Sequence, residues 1–257
     1  MKVVILAGGL GTRISEETHL KPKPMLEIGG KPILWHILKI YSSFGFNEFI
    51  ICCGYKGYVI KEYFANYFLH SNNVTFHMDN KNYMEIHSRK AEPWKVTLVD
   101  TGEKTLTASR LLKVKSFLNP NQHFCFTYGD GLANINISQL VSFHKEKKKK
   151  VTLTAVQPPG RYGSLDLDEN KVKQFVEKPK GDNGWINGGF FVVDPSILNL
   201  IIGDQCSWEE EVLPKLAYQG ELNAFKHNGF WLPMDTLRDK NRLNYLWEEK
   251  KAAWKVW

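Results

Sequence analysis

The chain predicts an α/β fold, with a mostly parallel central sheet flanked by helices and, after it, a mixed β region. Three observations carry this reading. The apolar strand Val3-Val4-Ile5-Leu6 runs straight into a glycine-rich turn, strand and amphipathic-helix spacings alternate from there through Phe68, and shorter extended segments replace that alternation after Gln157.

Residues 2–6 read as a short buried strand. Pro32, favourable in a first helical turn, opens a helix in which Ile33, Leu34, Ile37, Leu38, Tyr41 and Phe44 recur at helical spacing until Gly45. A strand over 49–53 follows. Val59, Ile60, Tyr63, Phe64, Tyr67 and Phe68 mark a second amphipathic helix, whose aromatics read as plain core packing. Between about 74 and 102 the chain turns to shorter extended pieces, among them 95–99, with 83–88 as an excursion or interface arm. A helix over 108–117 leads to a strand over 123–128, and one over 138–146 leads to a strand over 151–156. Extended segments at 164–167, 172–176 and 186–193 form the mixed region, read as a cap on the ligand end of the sheet. Helices over 195–202 and 208–218 follow, and a last one begins after Thr236. There are no internal repeats. At 257 residues and 43% hydrophobic, the chain suffices for one sizeable core, and a single domain over 1–257 is expected.

The chemistry concentrates in Gly8-Gly9-Leu10-Gly11-Thr12-Arg13, closely followed by Lys21-Pro22-Lys23-Pro24-Met25. Closely spaced glycines leave a backbone whose N–H groups can turn toward one anion. Arg13 and Lys23 add two positive charges to the same corner, a combination that suits a nucleoside triphosphate. A bare strand-to-helix turn would have no need of them. The dinucleotide spacing G-x-G-x-x-G fails at Ile14, and the Gly-Lys of a phosphate-binding P-loop, Gly30-Lys31, is followed by Pro32 instead of Ser or Thr.

Composition narrows the setting. No apolar stretch approaches a membrane span, the N-terminus enters a strand without a leader, and a cytoplasmic protein is expected. Four cysteines, including the adjacent Cys52-Cys53 and Cys125 in strands, have neither zinc spacing nor scaffold density, and read as buried thiols. The net charge of +7 and the run Lys145-Glu146-Lys147-Lys148-Lys149-Lys150 raise a nucleic-acid partner. A lysine run at a helix end is more often a solvated face complementing the helix dipole, and no nucleic-acid-binding signature accompanies it. The basicity better serves to gather small polyanionic substrates.

Ligands of open α/β sheets sit at the carboxyl ends of the parallel strands. Both the glycine loop and Asp130, between Gly129 and Gly131, leave such ends. Mg²⁺ takes one or two carboxylates and completes its shell with phosphate oxygens and water, a role that Asp130 fits. Asp235 allows two readings from its spacing: a second metal ligand, or an acid at the start of a helix capped by Thr236, together with Asp239.

Gly8-Gly9-Leu10-Gly11-Thr12-Arg13 with Pro22-Lys23-Pro24-Met25, Tyr128-Gly129-Asp130-Gly131, Glu177-Lys178-Pro179, Asn187-Gly188-Gly189 and Trp231-Leu232-Pro233-Met234-Asp235 resemble, in family order, the sugar-phosphate nucleotidyltransferases. The resemblance runs from residue 1 to about residue 240. It is strongest to the cytidylyl branch, through Ser15-Glu16-Glu17-Thr18, Glu92-Pro93-Trp94, Val99-Asp100-Thr101-Gly102 and Met234-Asp235-Thr236-Leu237-Arg238-Asp239. It implies the Rossmann-like nucleotide-diphospho-sugar transferase fold, with 1–156 mainly binding nucleotide, 157–240 mainly binding sugar and 241–257 a helical tail.

The resemblance also implies roles. Arg13 and Lys23 are catalytic, and Leu6, Ala7, Gly8, Gly9, Leu10, Gly11, Thr12, Arg13, Lys23, Thr105, Arg110 and Gly129 hold the nucleotide. Tyr162, Gly163, Glu177, Lys178, Asn187 and Gly188 hold the sugar phosphate, and Asp130 and Asp235 hold Mg²⁺. The implied substrates are CTP and glucose 1-phosphate. The implied products are CDP-glucose, a precursor for bacterial O-antigen polysaccharide, and pyrophosphate. A homo-oligomer, such as a hexamer, is implied as well. From the residues alone, Tyr83 to Trp94 and Trp247, Trp254 and Trp257 read equally as interface or as packing. A thymidylyl- or uridylyltransferase is the alternative within the class, and a non-catalytic nucleotide-sugar sensor the alternative outside it. The sensor could lose one of Arg13, Lys23, Asp130, Lys178 and Asp235 without penalty, but all are present.

Overall fold

Seven strands build the central sheet of the computed structural model, which describes residues 1–79, 83–87, 91–158, 164–176 and 184–257. They are β1 (Val3–Leu6), β2 (Glu48–Cys53), β3 (Lys95–Asp100), β4 (Phe124–Tyr128), β5 (Val151–Val156), β6 (Ile186–Val193) and β7 (Leu222–His227), in the order β7-β5-β6-β4-β1-β2-β3. The run β3-β2-β1-β4 is parallel. β7 is parallel to β5, whereas β6 opposes both of its neighbours, β4 and β5.

That placement corrects one expectation. Residues 186–193 do not cap the sheet; they form a strand inside it. Phe190, Phe191, Val192 and Val193 are fully buried. Such a continuous apolar run marks a strand covered on both faces.

Side-chain alternation along β1 sends Val3 and Ile5 to one core and Val4 and Leu6 to the other. The first core is closed by helix α1 (Ile33–Ser42), by α4 (Ile137–Lys147) through Ile137, Leu140 and Val141, and by Leu243 of α6 (Leu237–Glu248). The second is closed by α3 (Thr107–Lys113) through Ala108 and Leu111, by Trp208, and by Leu213 and Leu216 of α5 (Leu213–Tyr218). The four cysteines are free and buried, with Cys53 and Cys52 in opposite cores. Burial pushes the Cys125 thiol up to about 12 and the Cys53 thiol up to about 11.

The second amphipathic helix, α2 (Gly57–Ala65), is less buried than its pattern suggests. It stops at Asn66 and a short helix, Tyr67–Ser71, follows. Ile60 alone of its pattern is buried, and Phe68 is exposed. Tyr63, Phe64 and Tyr67 pack on one another, and Tyr67 on Trp94, so these aromatics form a half-buried cluster beside the core. The segment expected as a helix over 195–202 is a 3-10 helix, Pro195–Leu200, and the one over 208–218 opens with a π turn, Trp208–Val212, before α5.

The C-terminal tail is not wholly helical, because α6 ends at Glu248. Trp254 beyond it is fully buried, and its indole N–H donates to His36 Nδ1 at 3.3 Å. His36 Nε2 donates to the carbonyl of Ile28 at 2.9 Å. Trp247 and Trp257 also pack on His36, so all three tryptophans pack within the chain. Lysines 145, 147 and 148 are exposed at the end of α4, as a solvated face requires. No helix among the described residues is long and apolar enough to cross a membrane.

Candidate active site

A cleft of about 740 Å³ opens at the carboxyl ends of β1 and β4. Its walls are residues 6–12, Lys23 and Pro24, residues 103–107, Arg110, residues 128–131, residues 187–189, Glu209, Trp231, Pro233 and Asp235. Because β6 runs against β4, the start of β6 lies at the edge where β4 ends. Asn187 and Gly188 therefore reach the same cleft as Asp130.

The glycine loop is tightly constrained. Gly11 has φ +66°, a left-handed conformation open to glycine, and a Cβ there would meet Thr18 Cγ2 at 2.8 Å. A Cβ on Gly8 would come to 2.2 Å from Arg110 Nη1 and 2.9 Å from Gly54 N. The backbone of Arg13 lies in the 3-10 turn Thr12–Ile14. The expectation for its guanidinium lies outside the described side chains, and those for Tyr162, Gly163, Glu177 and Lys178 lie outside the described residues.

Arg110 is buried behind this loop. Its Nη1 donates to Thr101 Oγ1 at 2.7 Å and to the carbonyls of Gly102 at 2.8 Å and Cys53 at 3.4 Å. Its Nη2 donates to the carbonyls of Gly8 and Glu103, both at 3.1 Å. One guanidinium thus pins the loops that follow β1, β2 and β3. Burial lowers its pKa from the ordinary value. Thr105 is buried beside it, and its hydroxyl accepts from Lys113 Nζ at 3.2 Å.

Lys23 stands at the centre. Its Nζ donates to Asp130 Oδ2 and to Asp235 Oδ1, each at 2.6 Å. Burial disfavours the ammonium, but the two carboxylates outweigh it and raise the pKa of Lys23. The carboxylates are brought together by an antiparallel pair, Gly131–Ala133 against Trp231–Pro233, in which Gly131 faces Pro233. The amide of Met234 donates to the carbonyl of Asp130 at 2.8 Å and closes that pair.

The structure separates the two readings of Asp235. Thr236 caps α6 in a capping box with Asp239, whose carboxylate accepts from the Thr236 amide. Asp239 completes the capping box with Thr236, and Asp235 turns to Lys23. Two carboxylates clasping one ammonium form a cradle that already holds a cation, and this donor set suits Mg²⁺ completed by phosphate oxygens. Among the described residues, no group of three or more metal-ligating side chains competes with it.

Asn187 is held by the amide of Gly189, which donates to its Oδ1 at 2.9 Å. Trp231 Nε1 donates to the carbonyl of Gly188 at 2.8 Å, tying the start of β6 to the Asp235 segment. Tyr128 and Glu209 also line the cleft, and sequence reasoning missed both. Glu209 sits among three consecutive acids in the first turn of the Trp208–Val212 segment, where acids are favoured by the helix dipole alone, so no local signal set it apart.

This edge-of-sheet cleft, with a glycine loop over a lysine and two aspartates, is accompanied by a family match: the nucleotidyl transferase model covers residues 2–239. The chain belongs to that family. It is 62% identical over 257 residues to a glucose-1-phosphate cytidylyltransferase of Salmonella typhi, with all of both chains covered. It is also 44% identical over 258 residues, again over the whole of both, to a probable glucose-1-phosphate cytidylyltransferase of Bacillus subtilis. The crystal structure of HddC from Yersinia pseudotuberculosis superposes with a TM-score of 0.69 at 25% identity, covering 96% of this chain and 99% of that one.

Proposed function

We propose that this chain is a glucose-1-phosphate cytidylyltransferase, joining CTP and glucose 1-phosphate into CDP-glucose with release of pyrophosphate. The meeting of Lys23, Asp130 and Asp235 under the glycine loop carries the reaction class. The choice of base and sugar rests on full-length similarity to relatives of that name.

The nucleophile is a phosphate oxygen, already anionic at neutral pH, and needs no general base. The obstacle is its repulsion from the α-phosphate, so alignment and charge neutralisation do most of the work. Lys23 neutralises the α-phosphate, while Arg13 and the N–H groups of residues 8–12 hold the departing pyrophosphate. Thr105 and the loop pinned by Arg110 line the base side of the cleft, and Asn187 and Gly188 line the sugar side; Tyr162, Gly163, Glu177 and Lys178 are assigned to the sugar phosphate by family resemblance alone. Mg²⁺ on Asp130 and Asp235 would screen the charge between the two phosphates. The protein is a homo-oligomer in this reading, and the hairpin of Val74–His77 with Tyr83–Ile86, with exposed Phe76, Met78, Tyr83 and Met84, offers it an apolar surface.

The test is pyrophosphate release with Mg²⁺ and glucose 1-phosphate, supplying CTP, UTP, dTTP, ATP and GTP separately, with Asp130→Asn as control. Turnover chiefly with CTP, lost in the variant, supports the proposal. Turnover with another nucleotide overturns the base assignment, and none with any of them returns the chain to the sensor alternative or to another sugar phosphate.

A further inference from the structure

Glu209 occupies an unusual position for an exposed acid. It lies in the wall of the main cleft, and both of its carboxylate oxygens are engaged. Oε2 accepts from Thr107 Oγ1 at 2.6 Å and from Ser207 Oγ at 3.3 Å. The Thr107 oxygen itself accepts from the Trp208 amide at 2.8 Å, so its one proton points at Glu209. Oε1 accepts from the Tyr128 hydroxyl at 2.5 Å.

Tyr128 has a single hydroxyl proton. With that proton on Glu209, its oxygen turns a lone pair toward Asn187, whose Nδ2 lies 3.4 Å away and donates to it. The Gly189 amide meanwhile holds Asn187 Oδ1. The two contacts define which end of the Asn187 amide faces which way. They leave one N–H and one lone pair of that amide for a ligand. The directions follow from the proton count: a carboxylate accepts only, so donation runs from Asn187 to Tyr128 to Glu209 and cannot reverse while Glu209 is ionised.

We propose that Glu209 is a positioning residue for the sugar phosphate, acting through the Tyr128 hydroxyl to hold the Asn187 amide in one orientation. The proposal rests on the reading of Asn187 as a sugar contact. Glu209 itself need not touch the sugar. Its anchors on Thr107 and Ser207 fix it from the side of α3 and the Trp208–Val212 turn, so the orientation of Asn187 on β6 is set by a residue far from it in sequence.

The experiment is steady-state kinetics of the full chain with CTP and glucose 1-phosphate varied in turn, on Tyr128→Phe, Glu209→Gln, their double variant and Asn187→Ala, with thermal melting of each. Tyr128→Phe keeps the ring that packs on Phe126 and Phe191 and removes one oxygen, so it tests the relay even if Glu209→Gln folds poorly. The expected result is a KM for glucose 1-phosphate raised about tenfold in each single variant, the scale of one misplaced hydrogen bond. The KM for CTP and the melting temperature should stay near wild type, and the double variant should match the singles because they break one chain. If Asn187→Ala raises the sugar KM and the other two do not, the relay is overturned while the sugar contact stands. An unchanged Asn187→Ala overturns the sugar contact and the relay with it. Parallel rises in both KM values, with lowered melting, assign Glu209 a merely structural part and overturn the positioning role.

Discussion

Asp130 and Asp235 converge on one ammonium, with Lys23 Nζ 2.6 Å from a carboxylate oxygen of each. The two acids flank opposite strands of a short antiparallel pair, Asp130 just before one and Asp235 just after the other, and the lysine comes from the turn after the glycine loop. Three segments distant in sequence therefore share one electrostatic balance. Removing any member leaves the other two miscompensated in a partly buried place.

Lys23→Met tests that balance. Its kcat should fall by about 10²–10³, the usual effect of losing one preorganised electrostatic donor. Two carboxylates would then face each other without their cation, so the variant should melt lower than wild type in chelator. Added Mg²⁺ should raise its melting temperature more than it raises that of wild type. Scanning fluorimetry with and without Mg²⁺ reads this directly, and equal shifts in the two proteins would refute the shared cradle.

Arg110→Lys should fail as a conservative change. A lysine has three donors on one point and cannot reach the Thr101 hydroxyl and the carbonyls of Cys53, Gly8, Gly102 and Glu103 together. The carbonyls of Cys53 and Gly8 keep the amides of Thr101 and Tyr55 as donors, so the loss falls on the part-buried carbonyls of Gly102 and Glu103 and on the bond to Thr101, and about 1–3 kcal/mol is expected in urea unfolding. The KM for CTP should rise with it, because the loops over the base side lose their common anchor.

Gly8→Ala adds one methyl where Arg110 Nη1 would lie 2.2 Å away. An arginine free to swing would yield cheaply, but this one is held by its bonds to three loops. The expected outcome is therefore impaired CTP binding by calorimetry. Unchanged CTP affinity would refute the tight packing of Gly8 on Arg110 as a requirement for binding.

Stability should depend on two buried histidines. Burial lowers the His36 pKa to about 4, and burial together with the neighbouring His123 lowers that of His144 to about 4. Between pH 6.5 and about 4 the unfolded chain binds protons at these sites that the folded chain does not. Stability is therefore complete above that window and falls as pH drops through it, by at most about 1.4 kcal/mol per pH unit for each histidine. Melting temperature followed over this range should show the slope, and His144→Gln should lessen it.

Some of this architecture was legible from local pattern alone. The bounds of β5 and β6, the start of α6 behind Thr236 and the buried character of the cysteines all follow from runs of apolar residues, caps and spacing within a few positions. The glycine loop was equally plain, since a glycine-rich turn after a strand is written in consecutive residues. The family match accords with the resemblance read from these motifs. The exposure of α2 was not legible, because a helical stripe of aromatics looks the same whether it covers a core or only its neighbours.

The sequence by itself thus determined the class of fold, the glycine loop after the first strand and the stock of charges available to the site, because each is set by neighbours along the chain. Only the tertiary structure decided how those charges are shared. It put β6 inside the sheet and against its neighbours, which carries Asn187 to the cleft. It turned Asp235 to Lys23. It also engaged Arg110 with backbone carbonyls and brought Glu209 to Tyr128. Each of these outcomes depends on pairing between segments far apart in the chain, and neither hydrophobic periodicity nor residue spacing encodes which distant partner a polar group will meet.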